Sequence, residues 1–257
     1  TVASNAILEM AGAQTGLITT AGFRDVLELR TLRMPRLYDI SWEKPEPLVP
    51  RYLRKGIRER VNADGNVEQS IDPKQVAEVV DELLKAGVET IAVCLINSFA
   101  FPDHEQLIGK IIEEKAPGFP YCLSVNVLPE IKEYERTSTT VINAYLLPVV
   151  SKYLNSLISE LGSCKVTAPL LLMQSNGGLT SAQRSIELPC NIIESGPAGG
   201  VVGAHALATK LELGDVVTFD MGGTTAKASL IERGEYSRAV DFSVGAGIMS
   251  GSRLLTG

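Results

Sequence analysis

A glycine turn between two strand-like runs near the C-terminal end constrains this chain most. The run of residues 216–219 is apolar or β-favouring and leads to Asp220. The turn that follows contains two glycines and two threonines: Gly222, Gly223, Thr224 and Thr225. Glycine lets the backbone approach a ligand closely, so we predict that the amides of this turn hold phosphate oxygens. Asp220 then lies where a magnesium ion or its bound water needs a carboxylate.

The residues after the turn distinguish between kinds of phosphate site. Walker-type and Rossmann loops are followed by a helix whose N-terminus faces the phosphate. Here residues 226–232 favour a strand and lead to a further turn at Arg233-Gly234, which predicts a β-hairpin. An Asp-x-Gly-Gly-Thr motif within a hairpin resembles the phosphate motif of the actin-like ATPase superfamily. The alternative is an ordinary hairpin with a glycine-rich turn, because short motifs also match by chance.

Composition limits the class of protein. The 257 residues are 45% hydrophobic and 21% charged, which is typical of a globular protein of one or two domains. The net charge of −6 provides no basic surface, so nucleic acid is not an expected partner. No apolar run approaches the roughly 20 residues that cross a bilayer, so no membrane span is expected.

Cysteines and histidines restrict the chemistry further. The cysteines are far apart and form no C-x-x-C pair: Cys94, Cys122, Cys164 and Cys190. Buried thiols in a reducing cytoplasm are therefore expected. The two histidines, His104 and His205, are too few and too scattered for a zinc site. A metal site in this chain is expected to use oxygen ligands.

Helices and strands alternate along the first half of the chain. Four successive segments predict a helix, a strand, a helix and a strand: residues 72–87, 90–96, 103–115 and 121–127. Asp72 and Asp103 are the predicted N-caps of the two helices. This order favours an α/β sheet layered by helices.

Four further segments have predicted structures that bear on the site. A hairpin is predicted from Gly56 to Val61, with its return through Asp64-Gly65. A long helix is predicted from residue 134 to 161 with a bend at Pro148. A buried strand and a helix of small residues are also predicted: residues 170–173 and 198–209.

Three groups outside the hairpin are candidate site residues. The first follows a predicted strand, where either a ligand contact or a structural turn is expected: Gln174, Ser175 and Asn176. The second lies at the start of the small-residue helix, and its role is either contact with a nucleotide or close packing on a neighbouring element: Ser195, Gly196, Gly199 and Gly200. The third is Arg136, near the start of the long helix, which is a predicted catalytic clamp for a carboxylate or phosphate.

Six sequence blocks together resemble the hydantoinase A / 5-oxoprolinase family. They occur in the family's order and span nearly the whole chain: residues 1–6, 18–27, 129–140, 173–178, 195–200 and 219–224. The resemblance implies an α/β, actin-like ATPase (ribonuclease H-like) fold of two lobes with a nucleotide cleft. Residues 1–197 are then expected to form most of the first lobe, and residues 198–257 the start of the second. The family's first phosphate motif is absent from this sequence, so we expect an internal fragment that binds nucleotide poorly.

The resemblance also implies an activity. It implies ATP- and Mg²⁺-dependent ring opening of a cyclic amide, 5-oxoproline or a hydantoin, through phosphoryl activation of the ring amide. A B-type partner subunit or fused half, an oligomeric assembly and a cytoplasmic location are implied as well. The alternatives are an ATP-binding subunit of an acetone-type carboxylase and a non-hydrolase actin-like ATPase switch. A sugar kinase is a third alternative.

One residue departs from the family pattern. Many relatives carry an acidic residue where this chain has Lys227, three positions after Thr224. The ammonium is expected either to reach phosphate oxygens or to point to solvent. We favour solvent, because lysine side chains are mostly exposed.

Overall fold

A computed structural model describes residues 2–31, 38–41, 43–222, 226–236, 238–239, 242–244, 248–250 and 254–255. The chain forms two compact units. Unit 1 comprises Thr1–Met10, Val149–Phe242 and Gly251–Gly257, and unit 2 comprises Ala11–Pro148 and Ser243–Ser250. The predicted lobe boundary after residue 197 falls within unit 1 and stays a prediction about the full-length protein.

Helices and strands alternate through much of the described chain. The helices are α1 (Val2–Leu8), α2 (Val26–Leu29), α3 (Pro73–Lys85), α4 (Asp103–Lys115), α5 (Ser124–Val127), α6 (Glu133–Ser163), α7 (Ala182–Glu187) and α8 (Ser195–Lys210). The strands are β1 (Thr15–Thr20), β2 (Arg54–Ile57), β3 (Arg60–Val61), β4 (Val67–Gln69), β5 (Thr90–Cys94), β6 (Tyr121–Leu123), β7 (Leu171–Met173), β8 (Leu179–Ser181), β9 (Val216–Met221), β10 (Ala226–Glu232), β11 (Glu235–Tyr236), β12 (Arg238–Ala239), β13 (Phe242–Val244), β14 (Ile248–Ser250) and β15 (Leu254–Leu255). Short 3₁₀ helices lie at Arg51–Leu53 and Pro189–Ile192.

Unit 2 is built on a four-stranded sheet in the order β2-β1-β5-β6. Its neighbouring strands are parallel, with Leu17 opposite both Arg54 and Ala92. Every residue of β1 and of β5 is buried, as expected for central strands that are covered on both faces. The predicted α/β class is therefore confirmed, and the carboxyl ends of these strands lie along one edge of the sheet.

Helix α3 begins as its sequence predicts. The Asp72 carboxylate accepts a hydrogen bond from the Lys74 amide at 3.0 Å, and Pro73 follows at the first helical position. The second predicted cap is wrong, because Asp103 is the first residue of α4 and Pro102 occupies the N-cap position. Asp103 instead places an acidic group in the first turn of the helix, where the dipole favours it.

Replacing Asp72 by alanine is expected to lower the local free energy of unfolding of α3 by about 1 kcal/mol, because the Lys74 amide loses its acceptor. The matched control is Asp103→Ala, which removes only a dipole interaction of about 0.3 kcal/mol. Hydrogen exchange of the α3 and α4 amides in the full-length protein measures both losses. Equal losses at the two helix starts would contradict the assigned cap.

Two strand predictions are corrected in unit 2. Gly56 belongs to the parallel strand β2, where a Cβ would lie 3.1 Å from the Ala21 Cα, so only glycine fits this close approach without a shift. The predicted return through Asp64-Gly65 is confirmed, but it joins β3 to β4. The predicted strand at 121–127 ends at Leu123, because Ser124 and the Val125 amide turn to bind the buried Glu105 carboxylate.

Helix α6 contributes residues 133–148 to unit 2 and residues 149–163 to unit 1, and Pro148 lies inside it. By length and composition alone it is long and apolar enough to cross a membrane. Its unit 2 half contains Arg136, Ile142 and Leu146, each fully buried. A helix in a protein core can have the same length and composition. The burial of the first half of α6 agrees with that role.

Unit 1 contains antiparallel strands and the small-residue helix. β7 pairs with β8, and β9, β10 and β11 form a sheet in the order β11-β10-β9. The predicted buried strand at 170–173 is wrong in its burial, because Leu171 is 52% exposed and the strand is one arm of a short hairpin. The small-residue helix α8 begins three residues earlier than predicted, at Ser195.

Candidate functional site

The hairpin predicted from the glycine turn is present. β9 and β10 pair in antiparallel fashion, with Met221 opposite Ala226 and Asp220 opposite Lys227. Gly222 lies exposed just after β9. The other predicted phosphate-loop residues lie outside the described residues: Gly223, Thr224 and Thr225. The hairpin is thus confirmed, and the role of its turn stays a prediction.

Opposed residues of an antiparallel pair share a face. The register therefore divides the side chains of this hairpin between two faces, and these faces differ in chemistry. One face carries only apolar side chains: Val217, Phe219, Met221, Ala226, Ala228 and Leu230. The other face changes from apolar to charged toward the turn, in the order Val216 with Ile231, Thr218 with Ser229, and Asp220 with Lys227. The second face therefore presents its charges beside the glycine turn.

A concavity of about 310 Å³ lies between this second face and α8. The helix lines it with Pro197, Gly200, Val201 and Ala204, and the hairpin lines it with residues 216–220, Lys227 and Ser229. Among the described residues, no atom other than the neighbouring backbone lies within 4 Å of the position that a Cβ at Gly200 would take, so this glycine leaves open space. The volume is at the lower end of the range of about 300–1,000 Å³ that small-molecule pockets occupy.

The charges at the concavity are unequally paired. The Lys227 ammonium forms an ion pair with the Glu194 carboxylate, so the expectation that it points to solvent is wrong. Partial burial lowers the pKa of the Lys227 ammonium, while the carboxylate beside it favours its charged form. Asp220 is exposed and has no ion pair or hydrogen bond among the described residues. One carboxylate therefore remains available at the mouth of the concavity.

The predicted residues at the start of α8 divide between packing and open space. Gly199 packs on β7, since a Cβ there would lie 3.5 Å from Met173 Cγ. Gly196 and Gly200 have nothing within 4 Å of such a Cβ, and of these two only Gly200 lines the concavity. Ser195 is the first residue of the helix, after Glu194 in a left-handed conformation. Close packing thus accounts for Gly199, and Gly200 lines the concavity; a ligand role for these residues stays a prediction.

The predicted group at 174–176 forms a hairpin turn. Ser175 is 2% exposed, and its hydroxyl lies within hydrogen-bond distance of the Asn191 carbonyl, at 2.8 Å, and of the Ile193 carbonyl. The Asn176 side chain accepts from the Gly178 amide at 2.9 Å, and the Gln174 amide donates to the Gly178 carbonyl at 2.8 Å. These contacts agree with the structural-turn alternative, and a ligand role for the three residues stays a prediction.

Arg136 lies in the core of unit 2. Its Nη1 donates to the Ser98 hydroxyl and lies 3.2 Å from the Ser124 hydroxyl, while Nε and Nη2 are buried without a hydrogen-bond partner. Ser124 in turn donates to the buried Glu105 carboxylate at 2.7 Å. Burial raises the pKa of the Glu105 carboxyl, and hydrogen bonds from the Leu95 and Val125 amides oppose that shift. Arg136 and Glu105 are thus joined through serine hydroxyls, and the predicted clamp role stays a prediction.

A second buried polar group in unit 2 was missed by sequence reasoning. The Glu59 carboxylate accepts from the Thr20 hydroxyl and lies 2.8 Å from His104 Nδ1. The Thr20 hydroxyl also accepts from the Ile96 amide at 3.0 Å. Thr20 ends β1, and Glu59 and Ile96 follow β2 and β5. Polar residues just after buried strands were the available signal, because parallel strands end at one sheet edge.

A larger concavity, of about 820 Å³, lies at the opposite end of the hairpin. Its lining includes Asp215, Glu232 and Glu235 with a single arginine, Arg233. Carboxylates repel phosphate, and no glycine-rich turn of the predicted motif adjoins this end. The smaller concavity beside Asp220 is therefore the better candidate for a nucleotide.

The donor set near Asp220 fits magnesium only together with a nucleotide. Mg²⁺ is usually bound through one or two carboxylates, with water and phosphate completing its octahedron. Asp220 supplies one carboxylate beside the concavity. Within the described ranges, no three His, Cys, Asp or Glu side chains come together as a metal site. The described residues suit a magnesium ion that arrives with phosphate, and they do not form a metal cage by themselves.

Comparison with known proteins agrees with this fold. Residues 1–116 match the family model described as the hydantoinase/oxoprolinase N-terminal region, and residues 136–256 match the hydantoinase/oxoprolinase model. The chain is 35% identical to caprolactamase subunit alpha of Pseudomonas jessenii over 94% of its own length and 35% of the relative. It is 32% identical to 5-oxoprolinase of Saccharomyces cerevisiae over 97% of its own length and 21% of the relative. The chain therefore spans about a third or less of the length of these two relatives.

Two solved structures have the same fold. The ATP-dependent caprolactamase of Pseudomonas jessenii aligns over 100% of this chain and 37% of its own, with a TM-score of 0.89 and 32% identity. A nucleotide-free acetone carboxylase, from a study of ATP-dependent acetone carboxylation, aligns over 100% of this chain and 37% of its own, with a TM-score of 0.89 and 25% identity. The α/β fold is accordingly that of the actin-like ATPases. The chain belongs to the hydantoinase/oxoprolinase family.

Proposed function

We propose that the full-length protein couples ATP cleavage to the opening of a cyclic amide, with the concavity beside Asp220 as its phosphate site. The observation that carries the proposal is the hairpin register, which places Asp220 and Lys227 on one face beside the glycine turn and α8. The names of two relatives, a caprolactamase and a 5-oxoprolinase, support a cyclic amide as the substrate class.

In this proposal the residues of the chain bind and orient. When bound, Mg²⁺–ATP supplies an electrophilic phosphoryl group that converts an amide oxygen into a good leaving group. Asp220 holds the ion or its water, and Gly200 and Gly222 leave room for close approach of phosphate oxygens. The Lys227 ammonium lies on the same face and offsets negative charge. Val216 and Ile231 form the apolar end of this face.

A partner chain is part of the proposal. One relative is named as an alpha subunit of a caprolactamase, and another, from Aromatoleum aromaticum, as a gamma subunit of an acetophenone carboxylase. We therefore expect the full-length protein to work with a second subunit or a fused half that completes the substrate site. Hydrolysis and carboxylation differ in their co-reactant, which is water in one case and bicarbonate in the other.

ADP release by the full-length protein with its partner tests the proposal. The cyclic amides to test are 5-oxoproline, hydantoin and caprolactam. The expected result is ADP formation that depends on one of them, with one ring-opened product formed per ADP. ADP formation that instead requires a ketone and bicarbonate would favour the carboxylase branch, which the acetone carboxylase likeness supports. ATP turnover that no cyclic amide or ketone stimulates would contradict both and favour a switch ATPase.

A further inference from the structure

Lys227 forms its ion pair with a residue other than its cross-strand neighbour. Asp220 is its direct cross-strand neighbour, and opposite charges at such positions normally pair. The ammonium instead pairs with Glu194, the residue before α8. Both Lys227 and Asp220 line the concavity, whereas Glu194 is not among the residues that line it. The ammonium thus pairs with a residue outside the lining, and the Asp220 carboxylate has no partner among the described residues.

Glu194 is held in place more firmly than a surface residue. Its backbone adopts a left-handed conformation, with φ 60° and ψ 22°, which a residue with a side chain seldom adopts. Its amide donates to the Ser4 hydroxyl at 3.0 Å, and its side chain is only 17% exposed. Lysine, in contrast, carries its charge on a flexible four-carbon stem. Of the two partners, Lys227 is therefore the one that can move its charge.

Lys227 is the group of this concavity that can bind an anion directly, although the local net charge is negative. Glu194, Asp220 and Lys227 together carry one net negative charge, and the described lining of the concavity contains no other cation than Lys227. A phosphate entering beside Asp220 is repelled by that carboxylate unless a cation accompanies it. Lys227 is within the concavity and presents three N–H donors and no acceptor. A bound phosphate thus competes with Glu194 for this ammonium.

We propose that Lys227 is a phosphate-binding residue of this concavity and that Glu194 is its resting counter-ion, which the phosphate displaces. This inference rests on the proposed nucleotide-binding function and adds a cation supplied by the protein beside any magnesium ion. Under this inference Lys227 raises the affinity for phosphate and Glu194 lowers it. A purely structural ion pair has no such consequence.

Calorimetric titration of the full-length protein tests the inference, with inorganic pyrophosphate in EDTA and with Mg²⁺–ATP as probes. Lys227→Met is expected to weaken binding of both probes by about tenfold to a hundredfold, the effect of losing one charged hydrogen bond. Glu194→Gln is expected to tighten binding by about threefold or more, because no counter-ion must be displaced. The double variant is expected to bind like Lys227→Met alone. Lys210→Met, in the exposed last turn of α8, is the matched control and is expected to leave both affinities unchanged.

A charge-reversed pair, Lys227→Glu with Glu194→Lys, separates binding from folding. It is expected to restore the thermal stability lost in either single reversal while leaving phosphate affinity low, because the cation then sits on the helix side. Unchanged affinity in Lys227→Met, or weaker binding in both single variants, would overturn the inference and leave ATP binding by the wild-type protein intact. Failure of the wild-type protein to bind either probe would overturn the proposed function as well.

Discussion

Asp220→Asn is expected to reduce substrate-dependent ATP turnover by at least about 10²-fold, the scale of losing one preorganised charge-stabilising group. Asparagine keeps the shape of the side chain but removes the negative charge that a magnesium ion or its water requires. The fold is expected to stay intact, because the hairpin is held by main-chain pairing and Asp220 has no side-chain partner in the described part of the chain. The measurement is ADP release at saturating substrate, beside a thermal melt.

The control for this change is Glu232→Gln, in the neighbouring strand β10 at the end of the hairpin far from the glycine turn. Glu232 is exposed and lines the larger, acidic concavity, so its neutralisation is expected to leave turnover unchanged. Turnover of Asp220→Asn within about threefold of the wild-type rate would remove this carboxylate from the mechanism. Equal losses in both variants would point to a general effect of charge on the hairpin.

Arg136→Met is expected to lower the local free energy of unfolding of unit 2 by about 3 kcal/mol, the scale for removing one partner of a buried charged network. The guanidinium is fully buried, donates to Ser98, and lies 5.6 Å from the Phe99 ring centroid. Its removal leaves the buried Glu105 carboxylate without the cation that the two serines connect to it. Hydrogen exchange of the β5 and α6 amides in the full-length protein measures the loss where it arises.

Two further variants show whether the loss comes from the network or from surface charge. Lys115→Met breaks an exposed pair with Asp81, at 2.7 Å, and is expected to cost at most about 1 kcal/mol. Combining Arg136→Met with Glu105→Gln is expected to give less than the sum of the single losses, with a coupling of about 0.5–3 kcal/mol. Simple addition of the two effects would show that Arg136 and Glu105 act independently. A large loss of turnover without loss of stability would instead support the predicted clamp role of Arg136.

Local patterns in the sequence predicted those elements that local physics determines. The hairpin at β9 and β10 follows from two β-favouring runs on either side of a glycine turn. The start of α3 follows from Asp72 before Pro73, because a cap and its helix are adjacent in the chain. The α/β class follows from the alternation of helices and strands between residues 72 and 127. In the first two cases the residues that decide the structure lie within a few positions of one another, and in the third the order of successive elements decides it.

The expectations that the structure changed depend on contacts between distant segments. Ser175 was a candidate ligand residue, but its hydroxyl is occupied by carbonyls near Asn191. Lys227 was expected in solvent, but the fold brings the Glu194 carboxylate to it. The Thr20, Glu59 and His104 group joins residues from three separate segments. The positions of Thr20 and Glu59 at or after strand ends suggest a polar group at the sheet edge, but only the fold shows which residues meet. Tertiary packing, which no local pattern encodes, decides all three.

The central claim is that the concavity beside Asp220 receives the phosphates of a nucleotide. A crystal structure of the full-length protein with a non-hydrolysable ATP analogue and Mg²⁺ tests it most directly. The terminal phosphates are expected to lie against Gly222 and Lys227, with the magnesium ion or its water bound to Asp220. An analogue bound elsewhere in the protein, with this concavity empty and Lys227 still paired with Glu194, would contradict it.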